Sequence, residues 1–133
     1  MFSKVLEKSL SEHDIHVNSN QMGLLMFLSS KDLMIQQDLA EIMDKHKSIV
    51  LRIIDSLEER KLIIRTPDPD DRRKKIIVIT RSGNLLLARI KEVEKEVTSL
   101  LQEGLTEEEL TTFMRVNKHI QDKAKSLTVA VSN

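Results

Sequence analysis

Apolar positions recur with a helical period along most of this chain. Phe2, Val5, Leu6 and Leu10 form a stripe on a first helix that is too short to be stable alone and needs a surface to lie on. Asn18 and Ser19 suit the cap of a second helix, whose apolar positions are Met22, Leu25, Met26 and Leu28. A polar break at 29–32 precedes Leu33, Met34 and Ile35, which fit a short strand. From Gln36 the pattern reads helix, turn, helix. In the second of these helices Val50, Ile53, Ile54 and Leu57 fall at i, i+3, i+4 and i+7 and share one buried stripe. At about 100° per residue the opposite face carries Ser48, Arg52, Asp55 and Glu59.

The period then changes. Residues 62–66 (LIIRT) and 76–80 (IIVIT) are β-branched runs, and PDPDDRRK lies within the loop between them. Pro67 and Pro69 stiffen the start of that loop and are expected to end the ladder, so that the tip projects. Thr80 caps a long helix in which Leu86, Ile90, Val93, Val97 and Leu100 repeat at 4, 3, 4 and 3, with Leu85, Leu87 and Leu101 widening the seam. Gly104 closes it, and Thr106 with Glu109 makes a capping box for a last helix bearing Leu110, Phe113, Val116 or Asn117, Ile120, Ala124 and Leu127. Residues 128–133 are expected to fray.

The expected fold is mainly α with a small β-hairpin wing: a winged helix-turn-helix with terminal dimerisation helices. It forms one domain over 1–133, with a DNA-binding unit at about 19–80 and dimerisation helices at about 1–12 and 84–127. Three amphipathic helices beyond the helix-turn-helix exceed what a winged helix of this size can cover. A two-fold interface through Phe2, Val5, Leu6, Leu110, Phe113 and Ile120 is the economical use of those faces.

Charge along the outer face of the second helix of the pair indicates its partner. Lys45, His46, Lys47, Ser48 and Arg52 occupy its amino half and approach, whereas Asp55, Glu58 and Glu59 lie towards the other end. The amino end also carries free N–H groups and the positive end of the helix dipole, which suits phosphate. A helix in a DNA major groove works mostly through its first turns. The candidate DNA contacts are therefore Lys45, His46, Lys47, Ser48, Ile49 and Arg52, with Arg72, Arg73 and Lys74 on the wing. The plain alternative for the helix is a solvated face with Arg52 paired to Asp55 or Ser56. For the wing it is a soluble tip, nearly neutralised by Asp68, Asp70 and Asp71.

Over roughly residues 18–125, the run DLAEIM, KSIVLRIIDSLEERKLIIR, DPDDRR and the T-x-x-G at 80–83 resembles the MarR family of winged-helix transcriptional regulators. The wing carries the most specific match, Asp71-Arg72-Arg73 followed by Thr80 and Gly83. The resemblance implies that Arg73 enters a minor groove, that Asp71 holds it there, and that Lys47, Ser48 and Arg52 meet DNA. It also implies pairing through the terminal helices and, as in many members, control by a small aromatic effector. Asp44 stands where many members have Gly, His46 replaces a capping Asp, Ile35 a capping Thr, Leu51 a Thr, and Lys61 the Gly that often closes the recognition helix. Each missing cap is expected to cost about 1 kcal/mol.

Composition changes the picture in a few places. Net charge is zero, yet residues 45–75 hold 10 Lys and Arg against 6 Asp and Glu, and the remainder 11 against 15. Association follows the local field more than the sum, so strong salt sensitivity and weak non-specific binding are expected. The chain has no cysteine, which excludes disulfides, thiolate metal sites and thiol-based sensing. The longest apolar run, 22–28, is far short of the roughly 20 residues of a membrane span, and no signal-peptide layout opens the chain, so a cytoplasmic protein without membrane partners is expected. His13, Asp14 and His16 lack the spacing and third ligand of a metal signature; no metal and no cofactor are expected. Met22, Met26, Met34, Met43 and Met114 read as core packing before ligand cavity. No nucleophile elbow, phosphate loop or paired carboxylate supports catalysis.

Two functions remain. One is a homodimeric transcriptional regulator on a near-palindromic double-stranded DNA site. The other is a winged-helix protein-interaction module using the acidic half-helix and the apolar flank at Ile49 and Leu51.

Overall fold

In the computed structural model, which describes residues 2–31 and 33–132, the elements run α1 (Phe2–Glu12), α2 (Ser19–Ser29), β1 (Met34–Ile35), α3 (Gln36–Ile42), α4 (Lys47–Glu59), β2 (Ile63–Pro67), β3 (Lys75–Ile79), α5 (Arg81–Leu101) and α6 (Glu107–Ser132). The strands form one antiparallel sheet in the order β1-β3-β2. Ile63 pairs with Ile79 and Arg65 with Ile77, and Met34 pairs with Ile77 from the other side. This is the expected mostly helical fold with a hairpin wing.

The chain divides into two compact units, residues 1–97 and 98–133. The first holds two apolar clusters. Leu24, Leu25 and Leu28 of α2, Leu39 of α3 and the α4 stripe Val50, Ile53, Ile54 and Leu57 close over Ile63 and Ile77 of the sheet. Leu6, Leu10 and Ile15 lie against Ile90, Val93 and Val97 of α5, and Leu86 packs on both clusters. That gives α1 the surface its short length requires. In the second unit, α6 opens with the expected capping box: the Glu109 N–H donates to Thr106 Oγ1 at 3.1 Å, and the Thr106 N–H reaches Glu109 Oε2 at 3.4 Å.

Several expectations need correction. Pro67 ends β2 inside the ladder, opposite Lys75, instead of beginning the loop. A proline is tolerated there because β2 is an edge strand and its missing N–H breaks no bond on the open side. On α2 the buried row is Leu24, Leu25 and Leu28, while Met26 is exposed. Leu33 lies outside β1 and is exposed, and Asp32 of the expected polar break lies outside the described residues. Leu100 leaves the seam and is 65% exposed. Leu6, expected in a contact between copies, is 2% exposed because α5 of its own chain covers it. The α6 helix also runs on to Ser132 where fraying was expected; no Gly or Pro interrupts it, and the Ser126 and Thr128 hydroxyls donate back to the Lys123 and Ala124 carbonyls. Asn133 lies outside the described residues.

Three helices end in the same way. After α1, α3 and α4 a residue at positive φ (Asp14, 56°; Asp44, 51°; Lys61, 59°) turns the chain left-handed. In each case two backbone N–H groups fold back on the last turn, as Lys61 does to Glu58 O at 2.8 Å and Leu62 to Leu57 O at 3.0 Å. The MarR-like positions lacking glycine thus keep a glycine's conformation. At Gly83 the need is steric instead: a Cβ there would collide with the Leu62 carbonyl oxygen and lie 2.7 Å from Ile79 Cγ1.

Lys61→Gly is expected to raise unfolding free energy by about 0.5–1 kcal/mol, by relieving the left-handed residue. Gly83→Ala is expected to lower it by about 1–3 kcal/mol. Urea denaturation of the two variants checks both signs.

Candidate nucleic-acid interface

The amino end of α4 is built by His46. Its Nδ1 accepts the Ser48 N–H at 3.2 Å and lies 2.8 Å from the Ser48 hydroxyl oxygen. The cap expected to be lost with the family's Asp is therefore supplied by imidazole. At the start of α3, by contrast, Ile35 gives no side-chain cap. Lys45, His46, Lys47, Ser48 and Arg52 are all exposed, and Ile49 and Leu51 are 43% and 38% exposed. Arg52 makes no hydrogen bond or ion pair among the described residues. Its expected partners are engaged elsewhere: Asp55 holds Arg65, and Ser56 donates to Ile53 O and accepts from Gln21 Nε2 at 3.0 Å.

The wing tip is a set of turns organised by aspartates. Asp68 Oδ1 accepts the Asp70 N–H at 2.8 Å, and Asp71 Oδ1 accepts the Arg73 N–H at 3.1 Å. The Asp71 carboxylate also receives Arg73 Nε at 3.1 Å and an Arg73 terminal nitrogen at 3.4 Å. Asp71 thus serves both as turn former and as holder of the arginine. The Arg73 side chain is 91% exposed while that of Asp71 is 31% exposed, so the guanidinium is oriented without being covered. Hydrogen bonds from the Arg73 side chain hold the Asp71 carboxyl below the usual range. Arg72 and Lys74 are exposed and make no side-chain hydrogen bond or close ion pair among the described residues, although the Lys74 charge also favours the ionised Asp71.

Two residues absent from the sequence expectations join helix and wing. Gln37 of α3 donates from Nε2 to Arg73 O at 3.4 Å. It also lines, with Lys47 and Leu51, an apolar cavity of about 90 Å³ between α3 and α4; Gln36, whose buried Oε1 has no hydrogen-bond partner among the described residues, is part of the same lining. Gln37 thus reaches the wing tip through the Arg73 backbone carbonyl and borders the cavity that Lys47 and Leu51 of α4 also line. At the wing's root, Arg65 of β2 donates to both Glu58 oxygens (2.7–3.2 Å) and to Asp55 Oδ1 at 2.7 Å. The Arg65 side-chain hydrogen bonds hold Glu58 below the usual range and raise Arg65 in return. The carboxylates spaced i, i+3 on α4 and the arginine sharing the inward face of β2 with Ile63 were a readable signal for this; nothing comparable marked Gln37.

Elsewhere His16 Nε2 lies 3.1 Å from Asp14 Oδ1, and His13 donates to Ser9 O and approaches Glu96 at 3.7 Å. Among the described residues no three His, Cys, Asp or Glu side chains gather as a metal site. The methionines do not converge: Met34 and Met43 pack on the first cluster, Met22 on the second, and Met26 and Met114 are exposed. No helix among the described residues is long and apolar enough to cross a membrane.

Residues 17–75 match the model of the MarR family. Over those residues the chain is similar to the MarR family. A crystal structure of MarR is 25% identical, covers 94% of this chain and 84% of that one, and superposes with a TM-score of 0.81. A cysteine-to-serine variant of MarR from E. coli, solved in complex with operator DNA, covers 90% of this chain and 84% of that one at 19% identity with a TM-score of 0.73, a likeness of fold. The Thauera aromatica protein named "Putative transcriptional regulatory protein for hcr operon" is 29% identical over 98 residues, which are 74% of this chain and 59% of that protein. The chain thus matches about six tenths of that relative's length.

Because Glu58 is shifted down, its pairing with Arg65 contributes fully above the ordinary glutamate range, about pH 4.3, and is lost as pH falls through the lowered value. The melting-temperature difference between wild type and Glu58→Gln is therefore expected to be constant from pH 7 to 5 and to shrink below pH about 4.

Proposed function

We propose that this chain is a sequence-specific DNA-binding transcriptional regulator that works as a cytoplasmic homodimer on a near-palindromic site. In this reading α4 is the recognition helix. Lys45, His46, Lys47, Ser48, Ile49 and Arg52 meet the major groove, Arg72 and Lys74 meet the backbone, and Arg73, held by Asp71, enters the adjacent minor groove. The supporting observation is that Gln37 bonds the backbone carbonyl of Arg73, whose exposed guanidinium Asp71 orients, and lines with Lys47 of α4 the cavity beside that helix's amino half. The solved MarR structure bound to operator DNA has the same fold.

The domain organisation proposed with it is a single domain, with a DNA-binding unit at about 19–80 and pairing helices at about 1–12 and 84–127. Phe113 and Ile120 of α6 are 68% and 60% exposed, Leu110 is partly covered, and Phe2 and Val5 stand free on α1 above the buried Leu6. Apolar rows of that length in water support a second copy as the cover. A two-fold dimer sets its recognition helices about 34 Å apart, one turn of DNA. A small-molecule effector would act by changing that separation. Catalysis forms no part of the reading.

A mobility-shift titration with fragments of the source genome at two salt concentrations tests this. Expected are a retarded complex that weakens as salt rises and, for Arg73→Ala, affinity on the order of tenfold lower. A folded protein that retards no fragment overturns it. The Phe113→Asp, Ile120→Asp double variant is expected to sediment as a monomer at concentrations where the wild type is dimeric.

A further inference from the structure

Hairpin β2–β3 has an open side. In the order β1-β3-β2 the backbone of β2 is paired only to β3, so the ladder alone leaves the hairpin free to twist against the helices. Side chains on the inner face of β2 must set that angle. Ile63 is buried there, and two residues nearer the tip, on the same face, stands Arg65. Its guanidinium makes two bonds from Nε to the Glu58 carboxylate (3.1 and 3.2 Å) and two from one terminal nitrogen, to Glu58 Oε1 and Asp55 Oδ1, both at 2.7 Å. Asp55 and Glu58 lie one turn apart on α4. A planar donor engaged by two carboxylates on a rigid helix defines both a distance and a plane, which a lysine ammonium cannot do. The Arg65 side chain is 26% exposed and that of Glu58 37%, so water competes only in part.

We propose that Arg65 is a positioning residue which fixes the root of the wing to the carboxyl half of the recognition helix and thereby aims Arg73. The proposal rests on the DNA-binding reading above. Arg65 touches no nucleic acid in this role; it holds the hairpin at the angle from which the Asp71-oriented guanidinium reaches the groove. The acidic half of α4, which would repel phosphate, has its two wing-facing carboxylates engaged by the same contact.

The test separates positioning from contact by sign. If Arg65 touched phosphate, removing Asp55 and Glu58 would release it and tighten DNA binding. If it positions the wing, the Asp55→Asn, Glu58→Gln variant loses affinity just as Arg65→Gln does. Affinities are read by mobility shift for both, for Arg65→Lys, and for each in the Arg73→Ala background, with circular dichroism and thermal melting confirming the fold. Expected is a loss on the order of tenfold for Arg65→Gln, for the carboxylate pair and, less severely, for Arg65→Lys, shrinking to under about twofold when Arg73 is already absent. Tighter binding by the carboxylate-pair variant, or losses that persist undiminished without Arg73, overturns the proposal. Should Arg65→Gln fail to fold, the carboxylate pair and Arg65→Lys decide it. Wild-type protein that binds no DNA overturns the functional reading itself, whereas wild-type binding with additive losses overturns the positioning role alone.

Discussion

The Leu62 carbonyl oxygen is where the helix-turn-helix, the wing and the long helix meet. It accepts the Thr80 N–H at 3.0 Å, and Gly83 lies against it with no Cβ to hold it off. One residue earlier, the Thr80 hydroxyl donates to Lys61 O at 2.8 Å while accepting the Gly83 N–H at 3.0 Å. Four pieces are joined in these few bonds: the left-handed exit from α4, the first residues of β2, the last of β3 and the first turn of α5. A side chain at 83 would push α5 off the sheet, and with it the leucines that close the first cluster. Thr80 and Gly83 are thus needed together, since the hydroxyl caps a helix that only a glycine allows to start so close to the strand.

From that junction α5 carries the geometry along its length. Leu87 belongs to the cluster under α4, and Ile90, Val93 and Val97 belong to the cluster that covers α1. Leu86 packs on both. Close-packed interiors transmit displacement instead of absorbing it, so a tilt of α5 moves the sheet and α1 as well. Polar ties of the α1–α2 connection point the same way, with Arg89 donating to His13 O at 3.0 Å and Arg60 to His16 O at 2.7 Å.

Where the hydrophobic period is long, spacing places the elements well: the α4 stripe, the hairpin, the Asn18 cap of α2 and the capping box on α6 all lie at or within a residue or two of where it puts them. On α2 the reading failed because SNQMGLLMFLS is apolar on nearly every side, so periodicity cannot choose which row faces inward. Only the packing of Leu24, Leu25 and Leu28 against α4 and the sheet decides. Leu6 failed for a related reason, since a stripe shows that a helix is covered but not whether its own chain or another covers it. His46 shows the opposite limit: a residue-type rule marked a missing cap, whereas the imidazole nitrogen performs the same acceptance. Gln37 and the Arg65 pairing depend on contacts more than five residues apart in sequence, and no local pattern announces the first of them.

Zero net charge and the DNA-facing surface proposed above are compatible because of how the acids in residues 45–75 are used. Asp71 is turned onto Arg73, and Asp55 and Glu58 onto Arg65, so three of the six carboxylates in this stretch orient arginines instead of merely cancelling them. A paired guanidinium keeps its remaining donors and a fixed plane, whereas a cluster of free lysines offers field without direction. Arg52, Lys47, Arg72 and Lys74 supply the field. For a regulator of the kind proposed, a weak total field limits residence on arbitrary DNA, whose affinity is almost wholly electrostatic. Aimed side chains retain their value where groove width and base edges match them. Neutrality in the total is then a contributor to discrimination, because it lowers the affinity for wrong sites more than for the right one.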